Sequence, residues 1–110
     1  MTPLAREIIE QLEGDIIYHA WLMQAIKRER SNGISARLRL MELLKELLKS
    51  GQVEIGETRL INSGYVEFIA WKGTIEERIT RAVSAVDQAS NSDKDFAYWI
   101  CLRHNVDRYE

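Results

Sequence analysis

The stretch RLRLMELLKELLKSGQVEIGETRLI, residues 37–61, changes its hydrophobic period in the middle. Up to Ser50 the leucines recur at helical spacing, which predicts an amphipathic helix over about residues 35–50. After Gly51, a residue suited to a left-handed helix C-terminus, apolar and polar residues alternate as they do in a strand. The apolar helix face would carry Leu40, Leu43, Leu44, Leu47 and Leu48, and the opposite face would carry Arg39, Glu42, Glu46 and Lys49.

Three other segments predict helices around this stretch. Thr2 and Pro3 form a helix start that precedes a short apolar repeat ending near Gly14. Asp15 can cap a second helix that reaches about Glu29, and SNGIS, residues 31–35, has the composition of a turn. Thr74 and Glu77 form a capping box that opens a fourth helix. The expected buried stripe of the second helix consists of Tyr18, Trp21, Leu22, Ala25 and Ile26.

Two further segments predict strands. YVEFIAW, residues 65–71, would pair with the strand after Gly51 through a hairpin turn at NSG, residues 62–64. FAYWICL, residues 96–102, would form a final strand. The order is therefore three N-terminal helices, a β-hairpin, a fourth helix and a final strand, and the expected class is α+β. With 110 residues, we expect a single domain over residues 1–110.

The composition bears on the cellular location of the protein. No apolar run approaches the ~20 residues of a membrane span, and the acidic N-terminus is not typical of a signal peptide. A single cysteine, Cys101, cannot form an intramolecular disulfide. We therefore expect a cytoplasmic protein with no membrane partner.

Catalytic and metal-binding patterns are weak. His104 and Asp107 supply too few ligands for a zinc site, and His19 is isolated in the sequence. Cys101 lies within an apolar strand, where a thiol usually behaves as a small hydrophobic group. The scattered glycines form no phosphate-binding loop. The sequence therefore predicts no enzymatic activity, no metal and no cofactor.

Charge is unevenly distributed along the chain. The net charge is −2, yet residues 27–39 carry a local charge of +4 and the remainder carries −6. The candidate anion or nucleic-acid contacts in this basic segment are Lys27, Arg28, Arg30, Ser35, Arg37 and Arg39. Arg37 and Arg39 lie at the positive end of a helix, so an anion opposite them would be stabilising. An ordinary solvated helix face is the alternative.

A second candidate surface is aromatic. Such side chains are frequent in protein interfaces, although packing in the core is their more common position. If the final strand lies at a sheet edge, its backbone could also accept a strand from a partner. The residues of this predicted partner surface are Tyr65, Glu67, Trp71, Tyr98 and Trp99.

Residues 15–71 resemble a winged helix-turn-helix domain. The resemblance rests on the second helix, the SNGIS turn, the third helix and the hairpin, with LLKELLKSGQVEI similar to the junction between helix and wing. It implies that the helix after the turn enters the DNA major groove, with Ser35, Arg37 and Arg39 facing the DNA. Against this, the helix has few polar groups for reading bases, and the hairpin is acidic.

Together these patterns favour a small non-enzymatic protein that acts by binding another protein. One version is an immunity or antitoxin-type protein, which is similar in size, acidity and lack of catalytic residues. A winged-helix DNA-binding regulator is the alternative, and an enzyme or ligand-binding domain with a hidden pocket is the third hypothesis. A homo-oligomer is compatible with each of them.

Overall fold

Four α-helices and four β-strands follow one another in the computed structural model, which describes residues 1–29, 35–61, 64 and 66–109. The α+β class is therefore confirmed. In chain order the elements are α1 (Pro3–Leu12), β1 (Ile17–Tyr18), α2 (His19–Glu29), α3 (Ala36–Lys49), β2 (Val53–Leu60), β3 (Val66–Ala70), α4 (Ile75–Gln88) and β4 (Trp99–Leu102), with 3₁₀ helices at Lys94–Phe96 and Arg103–Tyr109.

The predicted helix ends have the expected hydrogen bonds. The Thr2 hydroxyl accepts from the Ala5 amide, and the Ser35 hydroxyl accepts from the Leu38 amide. Thr74 and Glu77 form the reciprocal capping box at the start of α4. Gly51 has a φ of 77°, the left-handed conformation that glycine adopts most easily. Helix α3 therefore stops where the sequence predicts that it stops.

The predicted start of the second helix is wrong. The helix begins at His19, and the two preceding residues form β1, in which Ile17 lies opposite Ile100 and Tyr18 opposite Trp99. The Asp15 side chain accepts a hydrogen bond from the Ile16 amide at 2.7 Å. Asp15 therefore organises the turn before a short strand instead of capping a helix.

The sheet is antiparallel with the strand order β1-β4-β2-β3. The final strand is thus internal, paired with β1 on one side and with β2 on the other. The condition for strand addition to β4, a position at the sheet edge, is therefore not met. The edges are β1, with two residues, and β3, with five. β2 and β3 form the predicted hairpin.

One face of the sheet packs into the main core. Ile100 lies opposite both Ile17 and Ile55, and all three are buried. The five predicted leucines of α3 are buried in the same cluster. Phe68 and Cys101 are buried outside that cluster, and the second 3₁₀ helix contacts the strands that carry them.

After β4 the chain continues in the C-terminal segment Arg103–Tyr109. It forms the second 3₁₀ helix, and the buried Asn105 donates from its side-chain nitrogen to the Leu12 carbonyl oxygen at 3.4 Å. This contact attaches the C-terminal segment to the end of α1.

Several expectations concern residues outside the described ranges. They are the SNGIS turn before Ser35, the first two residues of the NSG turn, Arg30 and Tyr65. The last residue of the NSG turn, Gly64, has a φ of 81°, and its amide donates to the Ile61 carbonyl at 2.9 Å. Within the described ranges, none of the helices combines the length and apolar character needed to cross a membrane.

Gly56 is required by the close approach of β2 and β3. A Cβ atom at this position would overlap the Ile69 carbonyl oxygen, which belongs to the backbone and cannot rotate away. We expect Gly56→Ala to lower the free energy of unfolding by about 1–3 kcal/mol or more, the usual range for overpacking. Urea denaturation monitored by circular dichroism measures this change.

Gly14→Ala is the matched control, since its added Cβ would meet only the Gln11 carbonyl oxygen at an ordinary 3.8 Å. Equal unfolding midpoints for the two variants would contradict the proposed role of Gly56.

Candidate functional site

The arginines at the start of α3 are already paired within the chain. The Arg37 guanidinium donates two hydrogen bonds of 2.7 Å to the Asp87 carboxylate at the end of α4. These bonds raise the pKa of Arg37, and the same bonds lower the pKa of Asp87. Both side chains are about half exposed, so water still has access to this ion pair.

Arg39 is buried, although the helical pattern placed it on the solvated face. Its guanidinium donates to Glu29 at 2.9 Å and 3.2 Å, and it lies 3.7 Å from Glu42. Glu29 is the last residue of α2. Arg39 therefore joins α2 to α3 and is not available to a nucleic acid.

These contacts change the interpretation of the basic segment. The anion expected opposite Arg37 and Arg39 is supplied by Asp87 and Glu29 of the same chain. The Ser35 side chain caps α3. Lys27 and Arg28 are exposed in the last turn of α2, where cations are stabilising in their own right.

The predicted partner surface does not form one patch. Tyr98 is completely buried and Trp71 is almost so; neither presents a ring to solvent, and their placement at the surface is wrong. Glu67 is partly buried and pairs with Arg59 at 2.7 Å. Among the described aromatic residues of the predicted partner surface, Trp99 alone is partly exposed.

Trp71 contacts two charged side chains of the same chain. Its Nε1 donates to Glu57 at 3.1 Å, and the Arg81 guanidinium lies 4.2 Å from its ring centroid. Arg81 also pairs with the same Glu57 carboxylate at 3.3 Å. The three side chains thus attach α4 to the hairpin.

His19, the first residue of α2, and Tyr98, directly before β4, form a buried polar pair. Nδ1 of His19 and the Tyr98 hydroxyl are 2.9 Å apart, with ring centroids separated by 5.1 Å. Burial lowers the pKa of His19, and the carboxylate of Asp95 partly opposes that effect. Burial also raises the pKa of Tyr98. This pair therefore satisfies two polar groups in the interior.

Trp99 belongs to an aromatic cluster that the sequence did not indicate, consisting of Tyr18, Phe96 and Trp99. The ring of Tyr18 lies 5.0 Å from Phe96 and 5.3 Å from Trp99, and Phe96 and Trp99 stack at 5.9 Å. Phe96 is 55% exposed, while the other two are partly buried. Tyr18 and Trp99 therefore pack against the ring of Phe96, which is itself open to solvent.

The sequence patterns do not indicate Tyr18 and Phe96 as site residues, because they place both residues in the wrong element. The helical stripe places Tyr18 in the second helix, whereas IIY, residues 16–18, is a β-prone run after Gly14 and Asp15 that favours a strand. Phe96 was included in the final strand but ends a 3₁₀ helix. The preceding Ser90 and Asp93, whose side chains hydrogen-bond at 2.8 Å, carried the turn signal.

The surroundings of the aromatic cluster are acidic in sequence. Asp95 directly precedes Phe96, Asp93 lies two residues before that, and Asp15 precedes β1; all three are exposed. Lys94 is the one cation among residues 90–96. A ligand at the aromatic cluster would therefore meet more negative than positive charge.

The remaining titratable side chains do not form a metal site within the described ranges. There, no three His, Cys, Asp or Glu side chains come together so that they could hold a metal ion. His104 lies 3.6 Å from Glu13, and Cys101 is buried with its thiol donating to the Leu102 carbonyl. The Asp107 side chain, considered with His104 as a metal ligand, lies outside the described part.

Two open depressions are each lined by three apolar and three charged side chains of the described residues. One, of about 270 Å³, lies between α1 and α2 and includes Leu4, Glu7 and Arg28. The other, of about 200 Å³, lies between α3 and α4 and includes Leu38, Met41 and Ile79.

Comparison of the chain with protein-family models, curated proteins and solved structures found no match.

The His19–Tyr98 pair predicts an acid-sensitive contribution to stability. Because the folded protein holds the pKa of His19 below its usual value of 6.5, the unfolded chain binds the proton more readily. The contribution of His19 is therefore fully present above about pH 6.5 and decreases as the pH falls from there towards the folded-state pKa.

Urea denaturation of wild type and His19→Gln between pH 7.5 and 5.5, a window chosen around that value, checks this expectation. The variant, which keeps a hydrogen-bonding group near Tyr98, should lose less stability over this range. His104→Gln, at the exposed histidine, is the control. Parallel profiles for wild type and His19→Gln would contradict the assignment.

Proposed function

We propose that this protein acts by binding another protein through the aromatic cluster of Tyr18, Phe96 and Trp99, and that it catalyses no reaction. The exposure of Phe96 on a base of two packed rings is the observation that carries this proposal. Aromatic side chains supply large contact areas at low entropic cost and dominate many protein interfaces.

The charge around the cluster indicates the chemistry of the partner. Asp15, Asp93 and Asp95 would attract a cationic surface, and the exposed face of an aromatic ring binds Lys or Arg side chains favourably. We therefore expect a partner that presents basic residues. The net charge of −2 agrees in sign with this expectation.

An immunity or antitoxin-type protein is one concrete version of this function. In that version the acidic surface would cover a cationic site on a toxic partner in the cytoplasm, and affinity would depend on a few aromatic anchors. The internal pairing of Arg37 and Arg39 supports a protein partner over nucleic acid, because it removes two of the cations on which phosphate binding would rest.

Affinity capture of the tagged full chain from its native host tests the proposal. We expect a basic polypeptide in stoichiometric amount, bound about 30-fold more weakly by Phe96→Ala, as for an interfacial hot spot of about 2 kcal/mol. Leu38→Ala is the matched control, since Leu38 is 56% exposed on α3 and lies outside the cluster. Recovery of the same partner by all three proteins in equal amounts would refute the role of the cluster.

A winged-helix DNA-binding regulator is the second candidate. Helices α2 and α3 are followed directly by the β2–β3 hairpin, which is the order that such a domain requires, and Lys27 and Arg28 remain exposed. In this version the start of α3 would approach the DNA and the two cations would contact phosphates.

Fluorescence anisotropy with a DNA duplex at several salt concentrations tests the regulator hypothesis. If Lys27 and Arg28 contact phosphates, Lys27→Glu/Arg28→Glu should weaken binding and reduce the slope of log affinity against log salt by roughly 2. Lys72→Glu/Lys94→Glu makes the same charge change elsewhere and serves as the control. Indistinguishable curves for the two double variants would eliminate this candidate.

A further inference from the structure

The outer edge of β3 has backbone groups that point away from the sheet. The Trp71 amide donates to the Ile55 carbonyl at 2.9 Å, which fixes the hydrogen-bonding phase of the β2–β3 pair. In an antiparallel ladder this phase alternates, so the N–H and C=O groups of Val66, Phe68 and Ala70 face outward. Within the described ranges, no backbone hydrogen bond connects these groups to another element.

The two edges of the sheet differ in how they are protected. β1 has two residues and continues directly into α2, so it offers almost no backbone to an incoming strand. β3 has five residues with no proline, lysine or glycine. Its one charged residue, Glu67, is balanced by Arg59 at 2.7 Å. β3 therefore lacks most of the features that normally prevent a strand from pairing with another chain.

Exposed apolar side chains lie beside this edge. Leu60 and Val66 are opposite each other at the end of the hairpin, and they are 74% and 43% exposed. A strand added to β3 would cover Val66, whereas Leu60 lies on β2, one strand further from the edge. The edge thus combines unpaired backbone groups with apolar area that pairing would remove from water.

The sequence of β3 is complementary to itself in one register. If two β3 strands run antiparallel about Phe68, the outward groups of Val66 face those of Ala70 in the second copy, which gives roughly six backbone hydrogen bonds. Glu67 then lies opposite Ile69 of the second copy and not opposite another Glu67. Each Glu67 also keeps its own Arg59.

From these observations we infer that a second copy of this chain binds at β3, so that two four-stranded sheets join into one continuous antiparallel sheet. Pairing about a two-fold axis at Phe68 is closed, since each copy uses its single open edge once. This inference does not depend on the proposed function, because the aromatic cluster lies at the opposite side of the strand order.

Sedimentation equilibrium of the full chain measures the self-association. We expect a monomer–dimer equilibrium, with a dissociation constant raised about tenfold by Val66→Lys, since a symmetric dimer contains the change twice. Leu38→Lys, at an exposed leucine of α3, should leave the constant unchanged. A chain that stays monomeric up to on the order of 1 mM, a bound at which association is weak, would overturn the inference.

Disulfide crosslinking tests the register separately and does not rely on a disruptive variant. Positions 67 and 69 would form a non-hydrogen-bonded pair with Cα atoms about 4.5 Å apart, which a disulfide can span. A mixture of Glu67→Cys and Ile69→Cys should therefore crosslink faster than either variant alone, with the buried Cys101 not competing. Equal rates in the mixture and in the single variants would refute this register.

Failure of the dimer and failure of the proposed function give different results. Phe96→Ala should leave sedimentation unchanged, whereas Val66→Lys should leave capture of the basic partner unchanged. If the chain is monomeric and Val66→Lys instead abolishes capture of another protein, the edge of β3 belongs to that protein and the dimer is refuted.

Discussion

The pairing of β4 on both of its sides is the interaction on which the rest of the structure depends. β4 is the last strand in the chain, yet it lies between the first strand, β1, and the hairpin strand β2. Ile100 shows the double pairing of β4, because it lies opposite both Ile17 and Ile55. Within the described ranges β1 has no other strand partner. It therefore joins the same sheet as the hairpin only after β4 has paired with both. Such non-local pairing requires closure of long loops before it is stabilised.

The local features of the fold could be predicted from sequence, since each depends on neighbouring residues. The Thr2, Ser35 and Thr74 caps, the leucine face of α3 and the left-handed Gly51 all follow from side-chain chemistry within a few positions. The strand order could not be predicted in this way. FAYWICL carries a strong β signal, but that signal has no information on which strands flank it.

The same limit explains the errors in the predicted sites. Position on a helix indicated a solvated Arg39, but Arg39 is buried and pairs with a carboxylate ten residues earlier, the more exposed Glu29. Aromatic character suggested a surface for Tyr98, but β4 is internal and the ring faces His19. For Arg37 the sequence did indicate that an anion was needed at that helix end. It could not show that Asp87, fifty residues later, supplies this anion.

The position of β4 also separates two kinds of surface. At the β1 side, a two-residue strand that continues into α2 offers little backbone, so the proposed recognition there would use side chains. The three aromatic rings lie where β1, β4 and the first 3₁₀ helix meet. At the β3 side, the side chains are few and partly paired, whereas the backbone is open. Side-chain recognition suits a chemically distinct partner, because rings and charges select what they contact. Backbone recognition is less selective in sequence and suits a copy that offers the same edge in return. Because β4 is internal, the proposed partner surface and the proposed dimer edge lie at opposite ends of the strand order, so the two proposed interactions would not compete.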